Sequence, residues 1–171
     1  MKQPILLKTV LDICFILLAF GFTGGIIASS LALIMSDPPI PITINGNELT
    51  EISAVSISLL VLQILTAGIT LFTIFLLRKL VRTFFKGVLY TSYQIKTLDR
   101  IGRLVITVTL LTPLLEFLSD LFIGDHANLG IHFNLSFTSF LFLLAMGLFF
   151  IYLSKVFENA RILKEENQLT V

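Results

Sequence analysis

The chain has 171 residues, 56% of them hydrophobic and only 13% charged, against about a quarter charged in ordinary soluble domains. A soluble fold of this length has no interior large enough for that apolar surface, so composition places the chain in a membrane. The net charge of +1 points to no acidic or basic partner, and what matters is where the charges fall.

The first apolar run, Ile13–Met35, is long enough to cross about 30 Å of hydrocarbon, which takes roughly 20 residues. Lys2 and Lys8 precede it, as in a secretory signal, yet the run exceeds the roughly 7–15 residues of a signal core and reads as a retained anchor. The single cysteine, Cys14, lies inside it and forms no internal disulfide. Gly21-x-x-x-Gly25-x-x-x-Ser29, with Gly24, Ala28 and Ala32 beside it, lets helix backbones approach closely. Such a stripe serves packing within a bundle or the pairing of copies into a homo-oligomer, and spacing alone does not choose.

The loop 36–54 begins Ser-Asp-Pro-Pro-Ile-Pro, which stops the first helix because proline lacks the N–H and disfavours a helical residue before it. Asn45-Gly46 then sits between short β-prone segments, the signature of a hairpin turn. Such a hairpin is marginal in water and is expected to rest on the outer end of the bundle. Thr50 is the expected N-cap of the next helix.

The second span, Val55–Leu77, continues past the membrane as an amphipathic arm. Arg78, Arg82 and Lys86 recur every fourth residue and share one helix face, with Leu77, Leu80, Val81 and Phe84 on the other side. Lys79 adds a further charge. Gly87 suits the left-handed position after a helix. Thr91-Ser-Tyr-Gln94 matches a capping box, Thr91 accepting from the first turn and Gln94 reaching back. The helix that starts there carries Lys96, Arg100 and Arg103 on one face and enters the third span, Leu104–Phe122. From about 55 to 86 the second helix measures roughly 48 Å, well beyond the membrane core.

Glu116 lies 12 positions after Leu104, roughly 18 Å into the membrane, and Asp120 follows at i+4 on the same face. An ionisable group at that depth is costly and is by default a functional-site hypothesis. Two readings stand: Glu116 hydrogen-bonds to Ser, Thr or Gln63 on neighbouring helices, or Glu116 and Asp120 form an intramembrane site for a ligand, proton or cation. Pro113, one turn earlier, frees a carbonyl beside them. His126 and His132, with Asp125, could join these carboxylates at the outer surface, but their spacing demands no metal, and no metal or cofactor is expected. The fourth span is Phe133–Leu153, and the tail after it reads as helical, with Val156, Ala160 and Leu163 apolar against Glu and Lys.

The Lys and Arg distribution orients the spans. All twelve basic residues fall in the N-terminal segment, the segment 78–103 and the tail 154–171, while the loops 36–54 and 123–132 hold none and carry Asp37, Glu48, Glu51 and Asp125. By the positive-inside rule both termini and the basic segment face the cytoplasm. The expected fold is one all-α domain over residues 1–171, a four-transmembrane-helix bundle, N-in and C-in, with cytoplasmic helix extensions and a short extracytoplasmic hairpin between the first two helices.

The stretch Phe85 to Gly102, with Gly87, Tyr90-Thr91 and Leu98-x-x-Ile101-Gly102, resembles the hallmark of a family of small four-span bacterial membrane proteins, the domain-of-unknown-function 2975 family. The tail, Val156-Phe157 and then Leu163-Lys-Glu-Glu-Asn-Gln-Leu169-Thr170-Val171, is similar to that family's acidic ending. The likeness extends over the whole chain in span layout and is residue-specific in these two stretches. Ala160 stands where the family pattern has glycine, and Tyr90 where phenylalanine is commoner. The resemblance implies a multi-pass protein of the bacterial cytoplasmic (inner) membrane. It also implies a link to gene control, because members are often encoded beside a small helix-turn-helix regulator.

No Gly-x-Ser-x-Gly or His-Glu-x-x-His appears, so no enzyme is expected; an enzyme acting on lipids is the weakest option. No nucleic-acid recognition motif accompanies the basic residues, so their partners are anionic headgroups of the lipid bilayer or a protein, such as a cytoplasmic helix-turn-helix regulator, docked on Arg78, Lys79, Arg82, Lys86, Lys96, Arg100 and Arg103. The leading reading is a membrane-embedded regulator or sensor. The rival is a small transporter or channel component using Glu116 and Asp120.

Overall fold

Backbone polar groups find no water in hydrocarbon, so a spanning segment must satisfy them internally, and a helix does this along its whole length. Each of the four apolar runs becomes one helix. The computed structural model describes residues 5–34, 43–44, 47–48, 53–84, 90–123 and 135–169. Its elements are α1 (Ile5–Ile34), β1 (Thr43–Ile44), β2 (Asn47–Glu48), α2 (Ala54–Phe84), α3 (Ser92–Phe122) and α4 (Leu135–Leu169). All four helices are long and apolar enough to cross a membrane, and the fold is the all-α, four-span architecture expected. With 31 residues in α2 and in α3 and 35 in α4, these helices measure roughly 46–52 Å and outrun the hydrocarbon. The tail is therefore an unbroken continuation of the fourth span, and α3 runs on through Pro113.

The boundaries differ from expectation in detail. α2 is described as far as Phe84, and both Lys86 and the Gly87 stop lie outside the described residues. So do Asp125, His126 and His132. β1 and β2 pair antiparallel, Thr43 with Glu48 and Ile44 with Asn47. That register leaves two residues to close the hairpin, as read for Asn45-Gly46, although the turn itself is outside the described residues. β1 packs against α2, which gives the strands the support an isolated hairpin lacks. Thr50, the expected cap of α2, lies outside the described residues. Ser53 immediately precedes the helix, and its hydroxyl accepts from the Ser56 N–H at 3.1 Å. A cap must sit directly before the first helical residue to reach an N–H of the first turn.

The helices pack in sequence order, α1 on α2, α2 on α3 and α3 on α4, and the last contact is the most extensive. Two glycines explain that ranking. A Cβ placed on Gly102 would lie 2.7 Å from the Gly147 carbonyl oxygen and 2.9 Å from the Ile151 backbone nitrogen, and one on Gly147 would lie 2.6 Å from Ile106 Cγ1. The α3 and α4 backbones touch where neither has a side chain, the contact by which helices gain packing energy in lipid. Beside it, buried Leu76, Leu80, Leu98 and Ile101 form a core against Leu77, Phe84, Leu104, Val105, Phe150, Leu153 and Phe157. A smaller cluster, Leu59, Leu60 and Leu115, closes the other end of the α2–α3 pair.

The small-residue stripe of α1 does not take part. Nothing lies within 4 Å of a Cβ placed on Gly21, Gly24 or Gly25, and Leu11 is the one described α1 side chain that is buried. Of the two uses read for the stripe, packing inside this bundle is not the one observed.

Gly102→Ala forces the α3 and α4 backbones apart and should cost about 1–3 kcal/mol by overpacking. Gly24→Ala meets open space and should be neutral or stabilise by about 0.5–1 kcal/mol through helix propensity. Thermal unfolding in detergent followed by circular dichroism checks both; equal effects at the two positions would contradict the packing described.

Candidate functional site at the charged end

The polar chemistry collects where α2 ends and α3 begins. Thr91, in extended backbone, caps α3: its hydroxyl accepts from the Gln94 N–H at 3.2 Å, and the Gln94 side-chain oxygen accepts from the Thr91 N–H at 3.1 Å. The capping box read from the sequence is present in full. It does more than start a helix. Gln94 is buried, and its amide nitrogen donates to the Thr83 hydroxyl on α2 at 3.4 Å, which in turn donates to the Leu80 carbonyl. The cap of α3 is thus hydrogen-bonded to the last turns of α2.

Tyr90, just before the cap, adopts φ 63°, a left-handed conformation that costs a non-glycine residue roughly 1–3 kcal/mol. The strain is held by ring contacts. Tyr90 meets Phe157 of α4 edge-on at 5.2 Å, and Phe84 of α2 meets the same ring at 5.9 Å; edge-to-face pairs contribute roughly 0.5–1.5 kcal/mol each. Phe157 therefore joins the α4 extension to the end of α2 and the start of α3, and three helices converge there.

α1 joins through charge. Arg78 and Arg82 lie one turn apart on α2, and both donate to the same carboxylate oxygen of Asp12: Arg78 through Nε, Arg82 through Nη2 at 3.3 Å. The Arg78 guanidinium also lies 5.1 Å over the Phe15 ring, which packs on Phe75 at 6.0 Å. The shared face expected for these arginines is borne out, but their partner was missed. Asp12 is the only acidic residue in the first 36, and it sits one position before the expected span. Treating the span boundary as a line between water and lipid hid a carboxylate that arginines at the end of the next span can reach.

The other described cations of the α2–α3 segment point outward. Lys79, Lys96, Arg100 and Arg103 are exposed, Lys79 lying 5.5 Å over the Tyr93 ring and Arg103 paired with Asp99 at 2.9 Å. Exposed pairs of this i,i+4 kind contribute little stability, so these charges are available to headgroups or to a partner.

The two intramembrane carboxylates lie apart from that layer. Glu116 is half-buried and Asp120 exposed on α3. Among the described residues, the Glu116 carboxylate receives none of the hydrogen bonds expected from Ser, Thr or Gln63; Ser119 donates instead to the Glu116 backbone carbonyl at 2.9 Å. Gln63 lines an open groove of about 210 Å³ between α2 and α3, with Thr66, Ala67, Thr70, Val108, Thr112 and Leu115. The three threonine hydroxyls donate to carbonyls of their own helices and offer the groove lone pairs. Among the described residues no cluster of His, Cys, Asp and Glu could hold a metal ion.

Comparison with curated proteins finds no match, and comparison with solved structures finds none. The family described as "Protein of unknown function (DUF2975)" matches residues 42–171, a span that takes in the hairpin, the capped α2–α3 connection and the α4 tail. The chain belongs to the DUF2975 family of proteins of unknown function.

Proposed function

We propose that this membrane protein is a non-enzymatic regulator or sensor of the bacterial cytoplasmic membrane whose charged end faces the cytoplasm and engages a partner there. The carrying observation is that a buried, hydrogen-bonded packing of α2, α3 and α4 lies directly beneath the exposed charges. Ile101 and Gln94, at 0% and 1% exposure, lie beneath a surface bearing Lys96, Arg100 and Arg103. Cations carried on a packed helical scaffold need less ordering on docking than cations on a loose segment, and charge complementarity chooses the partner. The orientation rests on the distribution of all twelve basic residues to one side. The partner is an acidic surface of a cytoplasmic protein, for which the co-encoded helix-turn-helix regulator implied by the family resemblance is the first candidate.

The test is capture of that regulator by the detergent-solubilised chain. Binding is expected for the native chain, and the combined Lys96→Glu, Arg100→Glu and Arg103→Glu variant should weaken it about tenfold or more, since like charges opposed across an interface cost several kcal/mol. No association with either form would overturn the reading.

A transporter or channel component is the second reading, favoured by the half-buried Glu116 one turn along α3 from Thr112, which lines an open groove with oxygen lone pairs. In it Glu116 and Asp120 line a path for a proton or cation. Glu116→Gln keeps the volume and removes the charge; in liposomes it should reduce cation or proton flux about tenfold or more, as for other intramembrane carboxylates on ion paths. Unchanged flux removes Glu116 from any path.

A further inference from the structure

We infer that Arg78 and Arg82 form a binding site for the phosphate of an anionic phospholipid, and that Asp12 occupies this site as a built-in competitor when the lipid is absent. Both guanidiniums converge on a single oxygen, Asp12 Oδ1. Each arginine carries five N–H donors in a planar fork suited to a phosphate, and Asp12 engages one donor from each. The local charge is out of balance. Lys8 is exposed on α1 one turn before Asp12, so three cations, Arg78, Arg82 and Lys8, act on one carboxylate.

The surroundings select a lipid rather than a soluble anion. The arginines sit at the end of two membrane-spanning helices, where headgroups lie and where each basic residue gains about 1 kcal/mol from an anionic surface. The Arg82 side chain is 47% exposed and Asp12 26%, open enough for an incoming phosphate to exchange with the carboxylate. Phe15 beneath Arg78 and the exposed apolar residues of α1, including Val10, Ile13 and Leu17, offer acyl chains a wall. Exchange has a mechanical consequence. α1 packs on α2 with a single buried side chain among those described, Leu11, so moving Asp12 off the arginines loosens the charged end of α1 while the core of α2, α3 and α4 stays locked. The site is independent of whether a protein docks on Lys96, Arg100 and Arg103.

The experiment is native mass spectrometry of the full chain in detergent with short-chain phosphatidylglycerol, phosphatidylcholine as control, and inorganic phosphate as competitor. Phosphatidylglycerol should be retained in preference to phosphatidylcholine. Asp12→Asn should raise that retention about tenfold, because the competitor no longer opposes the lipid, and Arg82→Gln should lower it by a similar factor. Inorganic phosphate should displace the lipid only at concentrations at least about 100-fold higher; equal potency would place the natural ligand in solution and overturn the lipid assignment. Unchanged or reduced retention in Asp12→Asn overturns the competitor role. A second measurement does not depend on that variant folding. Spin labels on exposed Cys14 and on an introduced Tyr152→Cys, exposed on α4, should give a distance distribution that broadens when phosphatidylglycerol is added. An unaltered distribution overturns the exchange.

Discussion

Within hydrocarbon a helix spends its backbone hydrogen bonds on itself, and apolar side chains gain nothing by leaving lipid for protein. Helices can then be joined only by close van der Waals contact or by side-chain polar bonds, and this constraint decides where the protein is firm. α3 and α4 take the first route at Gly102 and Gly147, where backbones meet with no Cβ between them. α2 and α3 take the second through Gln94 and Thr83. α1 and α2 also take the second, through Asp12 and the two arginines. All three joints lie toward the same end of the bundle, the end that carries the basic residues of the α2–α3 segment.

Such clustering has a chemical reason. A polar bond between helices at mid-membrane competes with nothing but costs much if it is left half-made, and the intramembrane threonines avoid that risk by donating to their own helices. Near the headgroups water and phosphate are at hand, so charged side chains can be used without large desolvation. The sequence follows this rule closely: hydroxyls in the middle of the spans, guanidiniums and carboxylates at their ends. Glu116 is the departure. It is an acid set well inside α3 with no hydrogen-bond partner among the described residues, and for that reason it keeps the transport reading alive beside the regulatory one.

The parts of this architecture written as local pattern were legible in the sequence. Spans follow from apolar length. The capping box at Thr91 and Gln94 follows from four residues whose geometry is closed on itself, and the apolar face of Leu80 and Phe84 follows from helical period. Contacts between distant segments were not legible. Gly102 read as part of a family hallmark, while the stripe of Gly21, Gly24 and Gly25 drew attention as a packing motif; the structure reverses their roles. A small-residue spacing records that close approach is permitted, whereas what approaches depends on the neighbour. The same limit hid the tie of Asp12 to Arg78, 66 residues away, and the Gln94 bond to Thr83. Gly87, where a left-handed turn was expected, lies outside the described residues; the left-handed backbone at Tyr90 was not foreseen, because the stabilising Phe157 comes from another helix. Ser53 caps α2 and was not named from the sequence, because Ser and Thr can both cap and only the helix start tells candidates apart.

The order of packing then bears on how a signal could pass through the molecule. α2, α3 and α4 share one buried core and one aromatic joint at Phe157, so a displacement of any one of them must move the others or break a close-packed contact. α1 shares neither. It is held to α2 by a carboxylate on two guanidiniums and by Phe15 on Phe75, contacts whose strength depends on what else is present at the membrane surface. A two-state element needs a part that can shift at modest cost and a part that stays fixed to report the shift. α1 meets the first condition and the locked trio the second, and Asp12 stands at the joint between them.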